Sequence, residues 1–351
     1  MGRVHDEHGG VGGAVPASAP DGSRSISLFV FNTDVHLHAY AGDGEDGADP
    51  DVVARLDRAL VACRDRCVFF EHAFSRTRPE SDISRAHALA PQPVPVSPET
   101  ADLVRRALGY CERSRGLFDI TMGTVTSLWD FHESVVPSRL ALSRALPHVG
   151  FERVVVEEGE GGAALSILDE CTILDLGGVA KGYIADDLSD LMRASGVGRF
   201  VVNLGGNVLV RGGRPEGPRN RAGAPWRVGV VNPRDPAHHR AIVDIVEGSV
   251  VTSGIHERCF HKGGVAYHHI LDPRTGMPAE SDVASATIIA PRSMDCDGFS
   301  TTAFMLGARD AIDFIEELEG IEAVVIDRAD EVRWTSGIGE SLSLIPTLPR
   351  F

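Results

Sequence analysis

The sequence predicts an α+β fold, built as one integrated unit with two lobes. Three observations predict it. Helical and strand patterns are interleaved without the regular strand–helix–strand alternation of a doubly wound sheet. The second half is richer in strand patterns than the first. Neither an internal repeat nor a strong linker divides the 351 residues, of which 43% are hydrophobic, enough for a substantial core.

Taken in order, residues 1–24 are rich in Gly, Ala, Ser and charge and read as a flexible tail, with the folded unit over residues 25–351. Residues 25–40 alternate, carry Val, Leu and Phe, and read as a first strand; residues 41–49 are an acidic, Gly-rich loop. From Pro50, apolar residues at Val53, Leu56, Leu60, Cys63, Cys67 and Phe70 have the spacing of a buried helical stripe. Ser97-Pro98-Glu99 opens a second helix with a cap, a proline at its first position and an early acid; Arg115-Gly116 closes it. A third helix starts within residues 177–181 and runs to about Ala194. Strands are expected at 200–210, 226–231, 241–246, 284–290 and 323–326, with helices at 298–306 and 308–318 between the last two.

Composition excludes some functions. A formal net charge of -16 argues against a nucleic-acid binder, because phosphate backbones need a basic face. It does not exclude a small phosphorylated ligand, since one lysine or a metal ion reverses the local field. The six cysteines form no C-x-x-C pair, and Cys63 and Cys67 share a helical face as small apolar residues. No apolar signal region, lipobox-like cysteine or membrane-length apolar run is seen. The expectation is a soluble, cytoplasmic protein with reduced thiols and no membrane span.

Five segments are too polar or too Gly-rich for packing alone to explain. Asp175-Leu176-Gly177-Gly178-Val179-Ala180-Lys181-Gly182 follows an apolar run, and strand, glycines, lysine and helix together offer N–H groups and positive charge to a phosphate. It has neither P-loop nor dinucleotide-fold spacing, and a plain strand-to-helix turn is the alternative. Asn203-Leu204-Gly205-Gly206-Asn207 reads as a strand with a glycine bulge. Thr252-Ser253-Gly254 precedes the charged pair Glu257-Arg258. His268-His269-Ile270-Leu271-Asp272-Pro273-Arg274-Thr275-Gly276 joins a histidine pair to a turn. On a strand those two imidazoles point to opposite faces, so one at most serves a given site; a histidine titrating near neutral pH suits removal of a hydroxyl proton. In Asp297-Gly298-Phe299-Ser300-Thr301-Thr302, a helix starting at Asp297 puts Ser300 and Thr301 one turn on, a hard-oxygen set suited to Mg²⁺; an N-cap aspartate is the alternative.

In this order, the five segments resemble the ApbE family of FAD:protein FMN transferases. The matches are residues 175–182, 203–207, 253–258, 269–276 and 296–301; Phe74-Ser75, Ser81-Asp82-Ile83-Ser84-Arg85 and Phe118-Asp119-Ile120-Thr121 with Trp129 look like the family's N-terminal pieces. The resemblance implies an ApbE-like, T-fold-like unit. It also implies FAD contacts at Asp175 and Lys181, with Ile270 beside the flavin nucleotide and Thr121 near it; Trp129 packs near a ring system or, as the alternative, is a buried core tryptophan. Metal ligands fall on the carbonyl of Gly178 and on the side chains of Asp297 and Thr301, and the catalytic histidine falls on His269. Cys296 stands where alanine is usual and His256 where tyrosine is frequent, and the export signal of many members is missing.

The activity so implied is Mg²⁺-dependent transfer of FMN from FAD to a hydroxyl of an acceptor flavoprotein, with release of AMP. Hydrolysis of FAD to FMN and AMP needs the same groups, and a non-catalytic flavin binder is a third reading. Residues 282–287 superficially resemble a flavin-accepting site, but the serine stands one residue too close to Thr287.

Overall fold

A computed structural model describes residues 14–19, 23–216, 221–255 and 258–346. Its centre is a nine-stranded sheet whose strands lie side by side in chain order: Ala17–Ser18, Arg24–Val30, Thr33–Ala39, Phe200–Leu204, Asn207–Arg211, Gly248–Gly254, Val283–Ala290, Glu322–Asp327 and Val332–Trp334. Every neighbouring pair is antiparallel. The mixed α+β class is borne out. The sheet takes in Ala17–Ser18, inside the segment read as a tail, and Arg24 is anchored by Asp57 at 2.6 Å.

Two expected strands are each a hairpin. Residues 25–40 fold back at Phe31-Asn32 and residues 200–210 at Gly205-Gly206; all four turn residues have positive φ, as a two-residue hairpin requires. The glycine pair is therefore a turn and not a bulge, and it delivers Asn207 as the first residue of the returning strand.

Among the described residues, eight α-helices accompany the sheet: α1 Pro50–Phe74, α2 Asp82–Leu89, α3 Pro98–Arg113, α4 Gly123–Thr126, α5 Arg139–Ala145, α6 Ala180–Ala194, α7 Ser293–Leu306 and α8 Ala308–Glu316. Local chemistry sets several starts. Asp49 caps α1, Ser81 caps α2, and Ser97 caps α3 with Pro98 behind it. Along α1 the stripe Val52, Leu56, Leu60, Cys63, Cys67 and Phe70 is buried; each large apolar side chain contributes about 1.5–3 kcal/mol. Burial pushes the Cys67 thiol up to about 12 and Cys63 higher still, so both are small core residues; all six cysteines are free.

The main core lies between one sheet face and α1, α6, α7 and α8. The other face is covered, at Val250, Ile289, Val324 and Ile326, by a second sheet of Trp226–Val231, His239–Ile245 and Leu342–Leu344. Val283–Ala290, covered on both faces, is buried throughout. A smaller aromatic cluster of Trp129, Phe131, Phe260 and Tyr267 ties the α4 region to the ribbon of Cys259–Lys262 and Val265–His268. No helix among the described residues is long and apolar enough to cross a membrane.

Candidate active site

The glycine loop before α6 is held from beneath. Ile173 N donates to Thr124 Oγ1 at 2.8 Å and Asp175 N to Ile120 O at 2.7 Å, a pairing so close that a side chain at Gly123 would strike the Ile173 carbonyl. Asp175 accepts from Gly177 N at 3.0 Å and lies 3.2 Å from Arg76 Nη1. Arg76 is thus a member of the loop that sequence reasoning missed, although it directly follows the Phe74-Ser75 match. Gly177 and Gly178 are exposed, and Gly178 rests on the edge of Phe118, where a Cβ would come within 2.8 Å. Lys181 Nζ folds back to 3.4 Å from Gly177 O.

The first turn of α6 meets α7 at Gly182. A Cβ there would lie 2.5 Å from Ser293 O and 2.6 Å from Met294 Cα, so only glycine permits the crossing. The contact lets Gly182 N donate to Asp297 Oδ2 at 2.6 Å. Helix α7 starts at Ser293, five residues before the expected span of 298–306, and Asp297 is therefore not its N-cap but an inward residue of its second turn. The cap comes from α6: Asp186 accepts from Ser293 N at 2.8 Å and Met294 N at 3.1 Å. Ser300 does not share a free face with Thr301. It is buried, donates to Asp297 O at 3.1 Å and pairs with Ser253 Oγ at 2.8 Å, whereas Thr301, four residues after Asp297, stays part-exposed. Cys296 is fully buried, its thiol at 3.4 Å from Ser249 O, and fills core space as the usual alanine would.

Burial pushes the Asp297 carboxyl above the usual carboxylate range, against the opposing pull of Lys181, Gly182 N–H and the neighbouring Asn207 carboxamide. Asn207 lies beside Asp297 without an aligned hydrogen bond, for its Nδ2 has none. A buried carboxylate with one aligned partner is a natural cation ligand. Asp297, the Thr301 hydroxyl one turn on and the Gly178 carbonyl are oxygen donors only, which fits Mg²⁺. Among the described residues, three His, Cys, Asp or Glu donors converge only at His148, Asp169 and Cys171, outside this site, where Arg153 already lies 3.4 Å from Asp169.

His269 follows the last residue of the Val265–His268 strand, so only His268 of the pair lies on it. His268 is buried against Phe304, ring centroids 5.5 Å apart. His269 donates its backbone N–H to Arg258 O at 3.1 Å, and its ring feels both Arg258 and Lys181. Burial first, and then those two cations, lower it to about 4, so it does not titrate near neutral pH and is an uncharged acceptor there. The turn beyond is rigid: Thr275 N and Gly276 N donate to Asp272 O, and Arg274 grips the Asp272 carboxylate at 2.7 Å. His256 and Glu257 lie outside the described residues.

Lys181, Asp297 and His269 are thus brought together with the loop of Gly178 and Asp175. Three other residues expected near the flavin have structural partners of their own. Thr121 is 0% exposed; its hydroxyl donates to Asp119 at 2.6 Å and accepts from Gly150 N at 2.8 Å. Trp129 is buried in the aromatic cluster and donates its indole N–H to Gly276 O at 3.1 Å, pinning the histidine turn. The Ile270 side chain belongs to the main core. Thr287 is fully buried against Thr252, in agreement with its exclusion as a flavin acceptor. Two surface concavities, of about 340 and 280 Å³, include none of the residues brought together here.

Comparison with known proteins points the same way. A curated FAD:protein FMN transferase of Treponema pallidum is 35% identical over 284 residues, 78% of this chain and 78% of that protein. The one from Salmonella typhimurium is 32% identical over 250 residues, 70% of this chain and 69% of that protein. The crystal structure of the ApbE protein from Thermotoga maritima superposes with a TM-score of 0.78 at 27% identity, covering 91% of this chain and 99% of that one. The apo flavinyl transferase ApbE of Pseudomonas stutzeri gives 0.74 at 25% identity, covering 91% and 96%. Residues 31–325 match the ApbE family, a span that holds the glycine loop, α7 and the histidine turn alike, and the chain belongs to that family.

Proposed function

We propose that this chain transfers the FMN half of FAD to a threonine or serine hydroxyl of an acceptor flavoprotein and releases AMP, with Mg²⁺ as its ion. One observation carries the reading. An uncharged imidazole, a lysine and a buried carboxylate, His269, Lys181 and Asp297, converge from three separate elements beside an exposed glycine loop. The curated relatives carrying the name FAD:protein FMN transferase support the choice of substrate.

The chemistry follows from the charges. FAD's pyrophosphate repels a nucleophile, and Lys181 with the N–H groups of the glycine loop lowers that barrier. Mg²⁺, held by Asp297, Thr301 and the Gly178 carbonyl, would supply positive charge to the phosphate oxygens. His269 takes the proton of the acceptor hydroxyl. The hydroxyl oxygen bonds to the phosphorus nearer riboflavin, the bond from that phosphorus to AMP breaks, and AMP leaves with the electron pair. Arg76 holds Asp175 in the loop.

The test is incubation with FAD, Mg²⁺ and a flavin-acceptor domain, with intact-mass analysis of the acceptor and chromatography of the nucleotides. Acceptor mass gain equal to FMN less water, matched by AMP, is expected. FMN and AMP appearing with no acceptor labelling would replace transfer by hydrolysis.

A further inference from the structure

We infer that Asn207 is a positioning residue for the Asp297 carboxylate, with its Nδ2 as the donor that fixes the carboxylate once a divalent ion is bound. This rests on the metal assignment proposed above and adds a residue to it.

The argument starts from the hairpin. Gly205 and Gly206, at φ of 60° and 93°, turn the chain within two residues, and Asn203 Oδ1 accepts from Gly206 N at 2.9 Å to lock the turn. Asn207 is therefore fixed as the first residue of a strand that runs beside α7. Its side chain is 1% exposed. The carboxamide oxygen is committed, because Ser293 Oγ donates to it at 2.6 Å, and Ser293 stands beside Ser249 Oγ at 2.8 Å.

Ser293 is four residues before Asp297, so the two share one face of α7. With its oxygen held at Ser293, the carboxamide can turn only its Nδ2 toward Asp297; the reverse orientation would set oxygen against carboxylate. That Nδ2 is buried and acts on the Asp297 carboxylate, although no well-aligned hydrogen bond joins the two here. A buried amide donor beside a buried carboxylate, close but poorly aligned, suits two carboxylate orientations. In one, Oδ2 is held by Gly182 N–H, as seen here. In the other, with a divalent ion held by the site, Nδ2 would donate a well-aligned bond to the carboxylate and fix its orientation. Partners of this kind that orient a metal ligand typically set affinity by about 10–100-fold.

The experiment measures Mn²⁺ affinity by electron paramagnetic resonance, with and without FAD, in the unaltered chain, Asn207→Leu, Ser293→Ala and Asp297→Asn. FAD affinity without divalent ion and the metal-free melting temperature are measured beside it. Asn207→Leu should bind Mn²⁺ about 10–100-fold more weakly, with FAD affinity intact; it also loses the bond from Ser293 to the carboxamide oxygen, a loss that the metal-free melting of Ser293→Ala measures separately. Ser293→Ala, which frees the carboxamide, should lose less. Undiminished Mn²⁺ affinity in Asn207→Leu overturns the inference while leaving the metal site standing. Where Asn207→Leu melts lower without metal, Ser293→Ala decides, and unchanged Mn²⁺ affinity there overturns it. No Asp297-dependent Mn²⁺ binding in the unaltered chain removes the metal assignment and this inference with it.

Discussion

Gly182→Ala tests whether the α6–α7 crossing builds the site. The new methyl would meet Ser293 O at 2.5 Å, Met294 Cα at 2.6 Å and Ser293 C at 2.7 Å, all backbone, with no flexible side chain to yield. Reaching ordinary contact needs α7 to back away by about 1 Å, at an overpacking cost of about 1–3 kcal/mol. The same displacement stretches the 2.6 Å bond from Gly182 N to Asp297. A shift of about 1 Å at a positioned group costs on the order of 10²-fold in rate. Melting should fall by roughly 2–6 °C, and single-turnover FMN transfer by far more than that stability loss implies. Gly109→Ala, within α3 and with nothing near its new methyl, is the control and should raise stability by up to about 1 kcal/mol. A Gly182→Ala protein with unchanged melting and unchanged transfer would refute the reasoning.

Three further outcomes follow from the same geometry. Thr121→Val leaves Asp119 and Gly150 N without their hydroxyl partner, so melting should drop while FAD affinity stays; weakened FAD binding at unchanged stability would restore Thr121 as a ligand contact. His87, His268 and His269 sit at about 4 in the folded chain against 6.5 unfolded, so between those values the unfolded state binds more protons and stability falls as pH falls. Denaturant titrations should show a shallower slope for His268→Leu across that window, because the raised Asp119, Asp186 and Asp297 act with the opposite sign in both proteins. Asp297→Asn keeps an acceptor for Gly182 N–H but no buried charge, and should abolish Mg²⁺-dependent turnover while melting no lower than the unaltered chain without metal; turnover close to normal across a Mg²⁺ titration would contradict its assignment as ligand.

Much of the fold was legible where local chemistry sets it. Pro50 and Ser97-Pro98 start their helices as read, and Arg115-Gly116, both at positive φ, stop one. Failures occurred where the deciding partner is distant. Helix α7 carries no cap of its own, since Arg292 makes none; the acceptor is Asp186, 107 residues away, so the sequence around Ser293 offers no start signal. Helix α2 was missed although Ser81 is a good cap, because eight residues show too little of an apolar stripe to be read. Phe31-Asn32 hid a hairpin because the apolar run Leu28-Phe29-Val30-Phe31 blurs the point where the buried positions pass from even numbers (Ile26, Leu28, Val30) to odd ones (Val35, Leu37, Ala39). In the site, residue types pointed to His269, Lys181 and Asp297, but not to which polar groups are already engaged. Thr121 and Trp129, which the family resemblance places near the ligand, also pin neighbouring turns, and those bonds are not legible in the sequence.

The α6–α7 junction shows why the glycine loop and the distant aspartate form one unit. Helix α6 supplies three things to α7 from one stretch: a missing side chain at Gly182 that permits approach, an N–H for Asp297, and the Asp186 cap for the helix start. The cap sets anionic charge at the positive end of α7, but burial raises the Asp186 carboxyl just as it raises Asp297. The metal-free chain thus concentrates buried acid where Lys181 is the cation that acts on Asp297, in a protein already at a net -16. Such an arrangement is poor for stability alone. It would suit a site whose remaining positive charge arrives with its ligands, because the helices that carry the candidate donors are held by backbone packing.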